Sequence, residues 1–182
     1  MAEKPKITLD DVETAIDSSQ DYMFMSYANT KTGEIVMLSE EDRRVLEEDE
    51  EEDESEEHED GDDDSERELP EWQVEQRELI RRMQENREDY VPMPTSFDFH
   101  EYRVMERFCY SVENEALADK LLHSIKGRGA FRMFKTTLYA HHIEKDWYEF
   151  RQRALREVAQ QWCNDFGFEL VDRIPPPEDE KK

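Results

Sequence analysis

The densest run of residues able to do chemistry lies between positions 120 and 135, where Lys120, His123, Lys126, Arg128, Arg132 and Lys135 follow Asp119, the one acid beside them. Gly127 and Gly129 alternate with these cations, and glycine lets a backbone approach a ligand closely. A helix starting just after them would direct free N–H groups and its positive dipole end at the same place. That combination suits a phosphate or a nucleic-acid backbone, and it makes Lys126, Gly127, Arg128, Gly129, Arg132 and Lys135 candidate anion-binding residues. The plainer account has Gly127 capping one helix, Gly129 admitting the turn into the next, and the cations forming a solvated face. The run lacks the Gly-x-x-x-x-Gly-Lys-Ser/Thr spacing and follows no strand, so it does not read as a nucleoside-triphosphate loop.

Other chemistries find less support. His141, His142, Glu144 and Asp146 are close in sequence, but neither a two-histidine pair four apart nor a Glu-x-x-His element is present to build a three- or four-ligand site. Cys109 and Cys163 fall on apolar stripes and read as free, buried thiols, and no Ser sits in a Gly-x-Ser-x-Gly elbow. Carboxylate pairs such as Glu113 and Glu115 carry little information in so acidic a chain. No catalytic residue, metal or cofactor is assigned.

The elements that position these residues follow from apolar spacing. Thr8 can cap a helix with Leu9, Val12 and Ile16 on one face. Tyr22–Tyr27 and Glu34–Leu38 are rich in strand formers and read as a β-hairpin across Asn29–Gly33. Trp72, Leu79, Ile80 and Met83 share a helical face, with Pro70 ahead of the first turn. Tyr90-Val91-Pro92-Met93-Pro94 is extended because each Pro restricts its own φ and its predecessor, and it can join the hairpin as a third strand.

Four helical patterns follow. Asp98 and Glu101 suggest a capping box for a helix with Phe99, Tyr102, Met105, Cys109 and Val112 in a stripe. Leu117, Leu121, Leu122 and Ile125 mark a second helix ending at Gly127. Phe131, Phe134, Leu138 and Tyr139 mark a third, starting near Gly129. The last runs from Glu144 to Asp165 with Trp147, Phe150, Ala154, Val158 and Trp162 at helical spacing, and Phe131, Phe134, Trp147, Phe150 and Trp162 read as core. Tyr148 falls off that stripe and is the better candidate for an exposed contact. Phe168–Val171 reads as a short strand.

The net charge of −25 is not spread evenly. Between Glu40 and Glu71, 21 acidic residues face three arginines, whereas Asp98 to Asp165 holds 11 basic and 11 acidic side chains. Like charges at every spacing repel, so residues 47–70 read as a disordered acidic insert within one domain: 1–46 hold the first helix and hairpin, 71–172 complete the domain, and 173–182 form a disordered tail. The insert reads as a spacer, as a lure for basic partners, or as a tethered competitor for the basic loop. No run reaches the roughly 20 apolar residues that cross a bilayer, and Met1–Lys6 lacks a signal-peptide core, so the expected location is the cytosol.

Lys126-Gly127-Arg128-Gly129-Ala130-Phe131-Arg132-Met133-Phe134-Lys135, followed by Trp147-Tyr148-Glu149-Phe150-Arg151, resembles the hallmark of a bacterial family known as uncharacterised protein family 0158. The likeness extends to the first helix, Thr32-Gly33-Glu34, Tyr90–Pro94 and Tyr102-Arg103-Val104-Met105-Glu106. It implies no activity, cofactor or catalytic residue. The acidic insert is longer than the family pattern suggests.

These observations give an α+β fold, mostly helical, with a small antiparallel sheet of hairpin plus one strand and a C-terminal helical subdomain. The expected role is a non-enzymatic binding or regulatory protein of the bacterial cytosol with a protein partner. Nucleic-acid or phosphate binding through residues 126–135, and an enzyme of unknown type, are the alternatives. The sequence leaves oligomeric state open.

Overall fold

One local pattern, Ser or Thr followed three residues later by Asp, recurs at three chain reversals. Thr8 starts helix α1 (Leu9–Ser18): its N–H donates to Asp11 Oδ2 at 2.8 Å, and its hydroxyl accepts from Asp11 N–H at 3.1 Å. Ser39 and Asp42 make the same reciprocal box for α2 (Glu40–Glu48), at 3.0 and 3.2 Å. Each box satisfies helix-end donors that would otherwise lack partners. The Thr95 N–H and hydroxyl also donate to Asp98 Oδ2, but the Asp98 N–H donates to the Thr95 carbonyl, closing the turn that precedes α4 (Glu101–Ser111). Asp98 therefore does not cap that helix, as its spacing to Glu101 suggested. His100 takes the N-cap position without a side-chain bond, and Glu101 is engaged elsewhere.

The computed structural model describes residues 4–20, 23–48 and 71–172. Most of the acidic stretch read as 47–70, and the tail 173–182, lie outside the described residues, as does Tyr22 of the predicted hairpin. Glu47 and Glu48 are helical as the end of α2, so order extends two residues into the stretch read as insert.

Mostly helical and α+β, the chain has two small sheets among the described residues. Strand β1 (Lys6–Thr8) pairs in parallel with β5 (Glu169–Val171), Ile7 opposite Leu170. The predicted hairpin is present as β2 (Phe24–Asn29) and β3 (Ile35–Ser39). As expected, the Pro-rich segment adds β4 (Tyr90–Pro92) to the free edge of β2, giving the order β3-β2-β4. Pro at the end of an edge strand costs no ladder bond.

Alternation along the hairpin sends Val36 and Leu38 to one face, where Met83 of α3 (Glu71–Glu85) closes a small apolar cluster with Tyr27, Leu46 and Leu79. The main core lies on the other side. It runs from Ile7 and Val12 through Ala28, Met105 and Phe108 to Leu155, Trp162 and Phe168, so residues from both sides of the acidic stretch share one interior. Its remaining walls are α5 (Glu115–Ser124), α6 (Ala130–His141) and the long α7 (Glu144–Phe166). Trp147 is its aromatic centre, edge-on to Phe108 at 5.3 Å and Phe134 at 4.9 Å, a geometry that ring quadrupoles favour.

Candidate functional site

The candidate anion-binding residues sit on the corner between α5 and α6. Asn114 caps α5, its side-chain oxygen accepting from Leu117 N–H at 3.0 Å, and buried Leu121 and Ile125 pin the last turn to the core. Gly127 and Gly129 both have positive φ, 80° and 82°, and a Cβ at either would meet nothing within 4 Å. Backbone conformation, not crowding, calls for glycine here. The corner then delivers Ala130, Phe134 and Leu138 to the interior at intervals of four residues.

That stripe dictates what faces outward. At 100° per residue, Arg132 and Tyr139 fall opposite the buried arc, while Phe131 and then Lys135 lie off one edge of it and Met133 off the other. Phe131 is 51% exposed, Met133 50% and Tyr139 59%. The reading of Phe131 as core is therefore corrected, and Tyr139 does not share the buried face of Phe134 and Leu138. Tyr139 lies about 100° round the helix from Leu138, and Phe131, in the first turn, lines a surface groove, so of the four only Phe134 and Leu138 are buried. Tyr148 is exposed, as its position off the stripe suggested.

The structure brings only some of the predicted residues together. Lys126 and Arg128 stand exposed on the corner, Arg132 faces out from α6, and Lys135 turns with Phe131 toward a groove of about 600 Å³. From Lys120 to Ile143 there is no carboxylate in the sequence. None of Lys120, Lys126, Arg128, Arg132 and Lys135 forms an ion pair with a described residue. A face this basic within a chain of net charge −25 is an electrostatic outlier.

The groove's opposite wall is the turn before α4, where Phe97 is 68% exposed. Arg151 of α7 closes the floor. Its guanidinium meets Glu13 of α1 at 2.6 Å and Glu101 of α4 at 2.9 Å, and it lies over the Phe99 ring at 5.3 Å. Burial works against its charge, but the two carboxylates outweigh that and raise its pKa above the usual guanidinium value. Sequence reasoning missed this tie, because Glu13 lies 138 positions away and nothing local signals it.

Nucleophilic and metal chemistry have little to work with among the described residues. Cys109 and Cys163 are free and buried, and burial pushes each thiol up to about 11, so neither is a thiolate at neutral pH. His141 ends α6 and His142 follows it with φ 56° as the cap. No group of three His, Cys, Asp or Glu side chains converges among the described residues.

Fold and site together define a mostly helical α+β protein that presents a basic, partly aromatic helix to solvent. The model of the uncharacterised protein family UPF0158 matches residues 64–180, and the chain belongs to that family. The matched range contains α3 to α7 and the whole basic corner, whereas the likeness read in the first helix and hairpin falls outside it. No curated protein and no solved structure was found to match the chain. Among the described residues, no helix is long and apolar enough to cross a membrane.

Proposed function

We propose that this is a non-enzymatic binding protein that docks an acidic segment of a partner protein on the face formed by the α5–α6 corner and the outer side of α6. One observation carries the reading: five exposed cations, unpaired among the described residues, share a carboxylate-free run with exposed Phe131, Met133 and Tyr139. Cations speed encounter and fix the sign of the partner, while aromatic and Met side chains supply the apolar contact that gives an interface its energy. The free thiols suit a reducing cytosol.

A single-stranded nucleic acid is the second reading, favoured by Phe131 and Tyr139 standing exposed on the same helix as Arg132. Fluorescence anisotropy with labelled polyglutamate and labelled single-stranded DNA separates the two. Polyglutamate should bind at low salt, weaken as salt rises, and lose about 5- to 30-fold in Arg128→Glu with Arg132→Glu, each reversal contributing about 0.5–1 kcal/mol. Stronger binding of DNA with the same dependence transfers the site to nucleic acid. Equal binding by wild type and variant removes the site.

A further inference from the structure

The other end of α7 bears a groove of opposite sign, which the proposed function does not use. Residues 157–166 form one wall and residues 92–98 the other, around a volume of about 650 Å³. Trp162 joins the walls, its indole N–H donating to the Pro92 carbonyl at 2.9 Å. Phe166, 39% exposed, sets its ring 5.6 Å from that of buried Trp162 at 47°, while Trp162 stacks on Phe168 at 4.8 Å, so Phe166 is the aromatic ring this groove offers to solvent. Val158 completes the apolar surface.

The charged side chains lining the groove are Asp98, Glu157 and Asp165, all of them acidic. Asp98 Oδ2 accepts from the Thr95 N–H and hydroxyl, and Asp165 Oδ1 accepts from Gln161 Nε2 at 2.8 Å. Those donors are neutral, so they orient the carboxylates without cancelling their charge. Glu157 meets Arg107 at 3.4 Å, but both side chains are more than half exposed, and such a pair exchanges partners at little cost.

We infer that this groove docks a segment of a partner protein that presents an Arg or Lys side chain next to an apolar one. The exposed Phe166 ring attracts cations, three carboxylates on the rim set the sign, and the apolar floor rewards a neighbouring Leu or Phe. An acidic or neutral segment meets the same floor but pays repulsion or gains nothing at the rim. With α6 packed on the Trp147 end of α7, the basic face and the acidic groove lie toward opposite ends of α7.

The test titrates a short peptide of alternating Arg and Leu into the full-length, isotope-labelled chain and follows amide and indole N–H resonances. Expected are shifts of the Trp162 indole and of residues 93–98 and 157–166, an affinity reduced about tenfold in Phe166→Ala, and a similar loss in Asp165→Lys. Both side chains are exposed, so each variant tests the groove independently should the other fold poorly. A peptide with Ser in place of Leu should bind more weakly here. Shifts confined to residues 47–71, or an affinity indifferent to both variants, overturn the inference by showing that bulk negative charge alone captures the peptide. Groove shifts that grow with the concentration of the protein itself, without peptide, also overturn it, because a second copy is then the occupant.

Discussion

Replacing Arg151 with Met tests whether one guanidinium joins three helices. The side chain is 17% exposed, Glu13 29% and Glu101 32%, placing the network between a surface pair, worth about 0–1 kcal/mol, and a buried pair, whose breaking costs about 3–5. Met fills most of the volume over Phe99 but leaves two half-buried carboxylates without a cation, and the expected loss is about 2–3 kcal/mol. Lys keeps the charge but not the fork that reaches both partners, so Arg151→Lys should cost about 1 kcal/mol. Urea denaturation followed by tryptophan fluorescence reads both, since Trp147 and Trp162 are buried. The decisive comparison adds Glu13→Gln and Glu101→Gln to Arg151→Met, which should recover more than half of the loss by removing the stranded charges. A loss below about 0.5 kcal/mol in Arg151→Met, or a triple variant no better than the single one, would refute the reasoning.

At Asp42, burial disfavours the charge, but hydrogen bonds from the Ser39 hydroxyl and N–H and from Gln76 outweigh it and hold the carboxyl below its ordinary value. A lowered carboxyl stabilises the fold above its unfolded pKa and stops doing so in acid, so Asp42→Asn should cost about 1 kcal/mol at pH 7, and the gap should narrow in urea titrations below about pH 4. The two thiols are raised, so their contribution is present below the unfolded thiol value of about 8.5 and is lost as pH climbs toward 11; stability should fall over that window, less so in Cys109→Ala with Cys163→Ala. Iodoacetamide with mass spectrometry should label neither cysteine in the native protein at neutral pH and both in denaturant. Gly129→Ala forces a side chain into positive φ and should lower stability by about 1 kcal/mol in thermal or urea melts, without steric conflict.

Repeating apolar spacing is what made most of the fold legible. Leu9, Val12 and Ile16 announced α1, the hairpin announced itself through β-branched and aromatic runs around Asn29–Gly33, and Tyr90–Pro94 was placed as a third strand because proline leaves few alternatives. Helix α2 escaped notice because Glu40–Glu48 is almost wholly charged, and its reciprocal Ser39–Asp42 bonds, not a broad apolar stripe, open it. Strand β1 is only three residues long and is defined by β5 at the far end of the chain. At the candidate site the cations and glycines were readable, but the exposure of Phe131 and Tyr139 was not: Tyr139 lies well round the helix from buried Leu138, and Phe131, in the first turn, faces a groove whose other wall, at residues 96–102, is remote in sequence. Arg151 looked like any exposed helix residue until its remote carboxylates were in place.

The parallel pairing of β1 with β5 has a kinetic cost. Lys6 waits for Glu169, so the strand that carries buried Ile7 has no partner until nearly all of the described chain exists. At ribosomal rates of about 5–20 residues per second, that interval is roughly 8–33 s. Throughout it, Ile7 and the apolar side of α1 lack the Phe168 and Trp162 surfaces that complete their core. Late closure of a long loop is slow as well as exposed, so the apolar N-terminal segment is open to non-native contacts for most of synthesis.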